Sequence, residues 1–155
     1  MFNIVLLEPR IPQNTGTIGR LCFATNSVLH LIKPYGFEIN EKALRRAGLD
    51  YWHELDVREY DNIDDFWDKN QNSSIHYFAT TKTKTPYFNA NYKINDYFWF
   101  GREDAGLPES LLKAHEKTCI NIPMTNSARS LNIANSVSIV VYDAIRQNHK
   151  ELAWQ

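Results

Sequence analysis

The feature that most narrows what this chain can fold into is its rhythm: short, continuous apolar runs alternate with stretches of helical period along its length. That alternation reads as an α/β protein built on a largely parallel sheet, because strands covered by helices on both faces are apolar throughout and not at every second residue. Residues 4–7 are the first such run, closed off by Pro9 and Pro12. Residues 14–25 have helical period, with Asn14 or Thr15 as the cap and Ile18, Leu21, Cys22 and Thr25 on one face. Val28–Ile32 is a second strand, followed by a Lys33-Pro34-Tyr35-Gly36 turn. Further on, residues 41–47 read as a short basic helix, 63–68 as a short acidic one, 75–80 and Tyr97–Phe100 as strands, and 108–115 as a helix opened by proline. Residues 119–122 make a last strand and 132–147 a long helix. The acidic stretch 54–68 reads most simply as a solvated face, and 148–155 as too short for a separate module.

A chain of 155 residues with 43% hydrophobic and 13% aromatic content suits one domain over residues 1–155. Such a domain buries roughly 70% of its unfolded surface and needs no disulfide or metal staple. The two cysteines, Cys22 and Cys119, have no CxxC partner or nearby histidine pair, so they read as reduced core thiols. No apolar run approaches the ~18 residues of a membrane span, and Met1-Phe2-Asn3-Ile4 carries no signal-like pattern, which leaves the cytoplasm as the default location. The formal charge of −1 excludes a protein that holds nucleic acid by its overall field. An RNA partner would have to be held by a local basic patch.

Three segments ask for more than packing. In Pro12-Gln13-Asn14-Thr15-Gly16-Thr17-Ile18-Gly19-Arg20, a strand, a turn and a helix N-terminus meet, a place where unpaired N–H groups favour an anion. At 100° per residue Gly16 and Arg20 fall opposite the Ile18/Leu21/Cys22 face, setting a glycine that admits a ligand one turn from a guanidinium suited to phosphate. The plain alternative is a capped helix with a solvated arginine. In Phe100-Gly101-Arg102-Glu103-Asp104-Ala105-Gly106-Leu107-Pro108, straight after a strand, Gly101 would permit close approach and Glu103 could orient Arg20. An ordinary strand-to-helix loop explains it equally well. In the third, residues 122–132, Ser130 and Asn132 lead into a helix whose first turn adds Asn135 and Ser136, more polar groups than a cap requires.

Taken in this order, the three segments resemble the motifs of the SPOUT superfamily of RNA methyltransferases: Asn-x-Gly-x-x-x-Arg, then Gly-x-Glu with Gly-Leu-Pro, then a Pro-anchored loop ending in Ser-x-Asn. Pro9-Arg10-Ile11-Pro12-Gln13-Asn14-Thr15-Gly16 and Leu44-Arg45-Arg46-Ala47-Gly48-Leu49-Asp50-Tyr51 are similar to one subgroup, minimal enzymes that methylate the wobble nucleotide, cytidine or modified uridine, of leucine tRNAs. The resemblance implies a parallel, Rossmann-like α/β sheet with a C-terminal deep trefoil knot, which threading rules would not suggest. It implies S-adenosylmethionine bound among the knot loops and S-adenosylhomocysteine as product, with no metal. The cofactor positions it implies are Ala79, Gly101, Ile122 and Ser130, with Thr80, Met124 and Leu131 beside them; Ala79 stands where the family has a larger aliphatic residue. It implies catalysis by Arg20, with Asn14, Glu103 and Asn132 holding Arg20 and the ribose.

Because arginine is a poor literal base, Arg20 is expected to fix the adjacent phosphate and stabilise developing alkoxide charge. Lys42, Arg45, Arg46, Lys82, Lys84 and Arg129 are candidates for holding tRNA phosphates. The last helix is expected to carry two apolar sides: Ile133, Val137, Val140, Val141 and Ala144 toward the core, and Ile139, Tyr142 and Ile145 away from it, toward the second subunit of a homodimer. Two other readings stay open on the residues alone. A nucleotide-dependent oxidoreductase is disfavoured by the missing first two glycines of GxGxxG, and an RNA-binding module without chemistry is opposed only by the family analogy.

Overall fold

A computed structural model describes residues 1–40, 42 and 51–152. The basic helix expected over 41–47, with Arg45 and Arg46, lies outside the described residues except for Lys42, which is exposed. The first strand, β1 (Asn3–Leu7), is buried along its whole length. Helix α1 (Pro12–Thr25) returns the chain to β2 (Val28–Ile32), and the edge strand β3 (Val57–Tyr60) follows. Then come α2 (Ile63–Lys69), β4 (His76–Ala79), β5 (Tyr97–Phe100), α3 (Glu109–Ala114) and the two-residue β6 (Cys119–Ile120). The long α4 (Ile133–Gln147) and the single turn α5 (His149–Leu152) complete the described chain.

The six strands form one sheet in the order β3-β2-β1-β5-β4-β6, every neighbour parallel. Alternate residues of each strand serve two cores. Ile4, Leu6, Leu29, Leu31, Phe98 and Phe100 pack beneath α1 and α4, against Ile18, Cys22, Val137, Val140 and Val141. Val5, Leu7, Ile32, Trp99 and Phe78 pack on the opposite face against Phe66 of α2 and Leu112 of α3. Burial on both faces explains why β5 is apolar throughout and why β1 and β2 are apolar but for Asn3 and His30. Both cysteines are buried and free, and burial pushes the Cys22 thiol up to about 12.

Four expectations require correction. Neither Asn14 nor Thr15 caps α1; the helix starts at Pro12 behind Ile11, because proline is preorganised for the first helical position and has no N–H to leave unpaired. The stretch 54–68 is not only a solvated face: it contains β3, an edge strand whose Arg58 and Glu59 are exposed while Tyr60 is buried, so its apolar signal is weak. The last strand stops at Ile120, because Asn121 donates its N–H to Thr85 O and accepts from Tyr87 N, leaving β4 for the strap that follows it. In α4, Ile145 is only 8% exposed and belongs to the core: it stands one turn beyond Val141, on the inward side. Tyr142 is 54% exposed and Ile139 half-buried.

Candidate active site

The carboxyl ends of β4, β5 and β6, with the loops leaving them, enclose a cavity of about 510 Å³ roofed by the start of α4. In a parallel sheet this is where ligands enter, since loops diverge there and helix N-termini converge. β4 delivers Ala79 and Thr80 to it, β5 delivers Gly101 and Glu103, the loop after β6 delivers Ile122, Met124, Ser130 and Leu131, and the start of α4 delivers Asn132 and Ser136. Asn14 of α1 lines it too. Ten of the eleven residues singled out from the sequence therefore share one cavity; Arg20 does not line it.

At the mouth three polar side chains are tied in series. Asn132 Nδ2 donates to Asn14 Oδ1 (3.0 Å), and Asn14 Nδ2 donates to Glu103 Oε1 (3.3 Å). Glu103 also accepts from the backbone N–H groups of Arg10 (2.9 Å) and Ile11 (3.1 Å). The anion-favouring place before α1 is thus filled from within the chain by the Glu103 carboxylate, which locks the β1–α1 turn to the β5 loop. Asn132 meanwhile caps α4, its Oδ1 accepting from Ala134 N (2.9 Å) and Asn135 N (3.3 Å). One short chain of side chains joins all three singled-out segments.

Arg20 stands elsewhere. Asn14 and Arg20 are six positions apart on α1, hence about 120° apart around the helix axis and about 9 Å along it. Glu103's bonds go to Arg10, Ile11 and Asn14, while Arg20 Nε donates to Tyr51 Oη at 2.8 Å. The expectation that Glu103 orients Arg20 within the chain is therefore corrected. So is the pairing of Gly16 with Arg20 on an open face, for Gly16 is buried and only Arg20 is exposed. Gly101, which lines the cavity, has a further reason to lack a side chain: a Cβ there would lie 2.1 Å from the Gly106 carbonyl carbon and 2.2 Å from Leu107 N, so it also admits the loop's own backbone. That close fold-back is sealed by Arg102 and Gly106, which bond each other through N–H and C=O in both directions.

Local reading of the sequence missed the charge lattice at the rim. Arg102 grips Asp104 through two bonds (2.9 and 2.7 Å), holding that carboxyl below its ordinary range, and lies 3.9 Å from Glu8, which in turn meets Arg10 at 3.5 Å. The i,i+2 spacing of Arg102 and Asp104 was the available signal. Lys82 and Arg129 also line the cavity, while Lys84 is exposed outside its lining. No histidine is among the lining residues. Among the described residues no group of three or more His, Cys, Asp and Glu side chains could hold a metal ion, and no helix is long and apolar enough to cross a membrane.

The cavity is of small-molecule size and mixed in character. Ala79, Ile122, Met124 and Leu131 offer apolar walls, while Thr80, Ser130, Asn132 and Ser136 offer hydrogen bonds, a mixture typical of cofactor sites. A parallel sheet of this order, with a cavity at its strand ends, defines an α/β protein whose open space lies where ligands enter such folds. Comparison with known proteins makes the class specific. Residues 1–142 match the SpoU rRNA Methylase family. A tRNA (cytidine(34)-2′-O)-methyltransferase of Escherichia coli (strain K12) is 46% identical over 149 residues, covering 95% of this chain and 94% of the relative. A solved structure described as giving insight into the 2-OH methylation of C/U34 on tRNA superposes with a TM-score of 0.90 at 36% identity, covering 97% of both chains. An AdoMet-bound rRNA methyltransferase from Sinorhizobium meliloti superposes at 0.79 with 25% identity, covering 94% of this chain and 56% of that one. The chain belongs to the SpoU methylase family of methyltransferases.

Proposed function

We propose that this chain transfers the methyl group of S-adenosylmethionine to the ribose 2′-hydroxyl of nucleotide 34, cytidine or modified uridine, of leucine tRNAs. It does so as a cytoplasmic homodimer of one domain spanning residues 1–155. The observation that carries the reading is the Glu103–Asn14–Asn132 series at the mouth of the cavity, which joins the three segments that a ribose methylase needs to bring together. The names of the relatives support the tRNA nucleotide, and the AdoMet-bound neighbour supports the donor. We also read the C-terminal half as a trefoil knot. In support, β6 lies at the sheet edge beyond β4, yet α4 packs on α1 and β5, so the chain after β6 recrosses the ends of β4 and β5.

When bound, the sulfonium cofactor supplies an already activated methyl group, so the protein's own task is alignment and charge. Ala79, Thr80, Gly101, Ile122, Met124, Ser130 and Leu131 hold the cofactor, and no metal is needed. Asn14 and Asn132 hold the ribose with their free amide and lone-pair capacity, near-attack placement being worth about 7–11 kcal/mol. Glu103 already accepts three N–H bonds and so acts as a strut. Arg20 stabilises the developing alkoxide and fixes the neighbouring phosphate, and that phosphate or water takes the proton the hydroxyl gives up. As Arg20 faces away from its own cavity mouth, it meets the nucleotide bound by the second subunit. Lys82 and Arg129 at the rim steer the tRNA phosphates.

The test is methyl transfer to leucine tRNA transcripts, with mapping of the modified ribose and a thermal-shift comparison of S-adenosylhomocysteine with NAD and NADP. The expected result is a 2′-O-methyl at position 34 and stabilisation by S-adenosylhomocysteine alone. No binding of S-adenosylhomocysteine at millimolar ligand would sink the reading.

A further inference from the structure

We infer that Tyr51 is the positioning residue of Arg20: it fixes the direction in which the guanidinium is presented to the reacting nucleotide. This rests on the proposed role of Arg20 and adds the device that aims it. Three contacts converge. Arg20 Nε donates to Tyr51 Oη at 2.8 Å, and its Cζ lies 5.7 Å from the centroid of the Tyr51 ring. Phe23, one turn further along α1, stacks on that ring at 5.0 Å with 23° between the planes. Phe23 is 45% exposed, so its ring is spent on the tyrosine and not on the core.

The backbone is shaped to bring Tyr51 there. A Cβ on Gly19 would lie 2.9 Å from Trp52 Cζ3 and 3.3 Å from Leu55 Cδ1, so the absence of a side chain at 19 lets the 51–55 segment sit flush on α1. That segment is a 3₁₀ turn, Trp52–Glu54, closed by Glu54 N donating to Tyr51 O. Gly19 thus receives Trp52 while the adjacent Arg20 receives Tyr51. Two neighbouring residues of the helix engage two neighbouring residues of the turn.

An exposed arginine carries substantial rotamer freedom, and its planar fork is useful only when aimed. Nε is the inner donor of the guanidinium. With Nε bound to Tyr51, the tyrosine bond sets the plane in which the guanidinium meets a phosphate or an oxyanion. Preorganised donors of this kind need no reorganisation at the moment of reaction. This gives Tyr51, the last residue of the Leu44-to-Tyr51 motif, a role in the reaction without contact to substrate.

Tyr51→Phe tests this, since it keeps the ring on Phe23 and removes only the hydroxyl. Single-turnover methyl transfer to tRNA should fall about 10–100-fold, the loss expected when a reacting group drifts by about 1 Å. S-adenosylhomocysteine affinity and KM for tRNA should stay within about threefold, and the melting temperature should not move. In ¹⁵N-resolved spectra the Arg20 Nε–H signal, protected in the unmodified protein, should exchange rapidly in the variant. Arg20→Ala separates the two levels of argument. If that variant retains near-normal turnover, the assigned role of Arg20 is wrong and the inference falls with it. If it is inactive while Tyr51→Phe turns over at the normal rate, or the Arg20 signal is unchanged, only the inference is overturned. A loss in Tyr51→Phe accompanied by a lowered melting temperature and weakened cofactor binding also overturns it, in favour of a purely structural tyrosine.

Discussion

Asn132 does two jobs with one amide: its oxygen caps α4 and its nitrogen holds Asn14. Asn132→Ala therefore loses a cap worth roughly 1 kcal/mol, which in a domain of this size lowers the melting temperature by about 2–4 °C. It also uncouples α1 from the cavity, so turnover should fall much further than that stability change explains; calorimetry and a methylation assay together check the split. Gly101→Ala should be harsher, because the added methyl meets backbone of Gly106 and Leu107 and not a side-chain tip. We expect a loss of about 1–3 kcal/mol and weakened S-adenosylhomocysteine binding, readable by denaturant melts and calorimetry. Arg20→Ala should abolish methyl transfer while leaving cofactor affinity within a few-fold, since Arg20 does not line the cavity. Lysine should rescue poorly, as an ammonium offers no planar two-pronged contact.

At the scale of elements, the three strands on one side of the sheet are pinned by a buried polar chain. Asn3 Nδ2 donates to Asn95 O, so its Oδ1 accepts from His30 Nε2 (3.0 Å), which must carry the ring proton. His30 Nδ1 then accepts from Tyr60 Oη (2.8 Å), whose oxygen accepts from Asn70 Nδ2 (3.2 Å). Every member is satisfied only while His30 is neutral. Burial, with a smaller push from Arg58 against the pull of Asp56, lowers its pKa to about 3; burial likewise lowers that of His76, to about 4. Because the folded values lie below the unfolded ~6.5, this stability is fully present above pH 6.5 and drains away as pH falls toward 3–4. Denaturant unfolding should therefore show a steep loss between pH 6.5 and 4, amounting to a few kcal/mol. His30→Asn should be less stable at pH 7 and visibly flatter across that window; an unchanged slope would remove His30 from the acid limb.

For the whole molecule, the outstanding surface is the outer side of α1 and α4, which pack on one another and leave Phe23 and Tyr142 exposed. In the homodimer we propose, this side meets the second subunit. Tyr142→Asp should give monomers by ultracentrifugation that no longer methylate tRNA, and a monomeric unmodified protein at micromolar concentration would refute the dimer. If Arg20 serves the second subunit, a hybrid of Arg20→Ala with a chain disabled at its cofactor loop should regain activity in one of its two sites. Recovery would be absent if the arginine served its own chain.

How much of this was legible beforehand differs by kind of information. Local chemistry is written in the order of residues. The apolar runs at β1, β2 and β5, the periodic faces of α1 and α4 and the polar cluster at Asn132 can be read without a structure, because strand burial, helix period and capping are short-range. The edge strand β3 was not, since an edge buries only part of one face and its sequence looks like a solvated stretch. The end of β6 was not either, as Asn121 has its partners 34 and 36 positions away, in Tyr87 and Thr85. Asn14, Gly101, Glu103, Ser130 and Asn132 carried their own signal in turns, caps and motif spacing, whereas Ala79, Thr80, Ile122, Met124 and Leu131 were named as cofactor positions only through the family resemblance; the cavity that they share follows from where parallel strands end. Which side chain holds which depended on the tertiary structure. Glu103 meets Asn14 from 89 positions away, and Tyr51 meets Arg20 from 31, partnerships decided by where Gly101 folds its loop and Gly19 admits its neighbour. Such contacts leave no periodicity in the chain, because they depend on distances that exist only once the sheet has set its strands side by side.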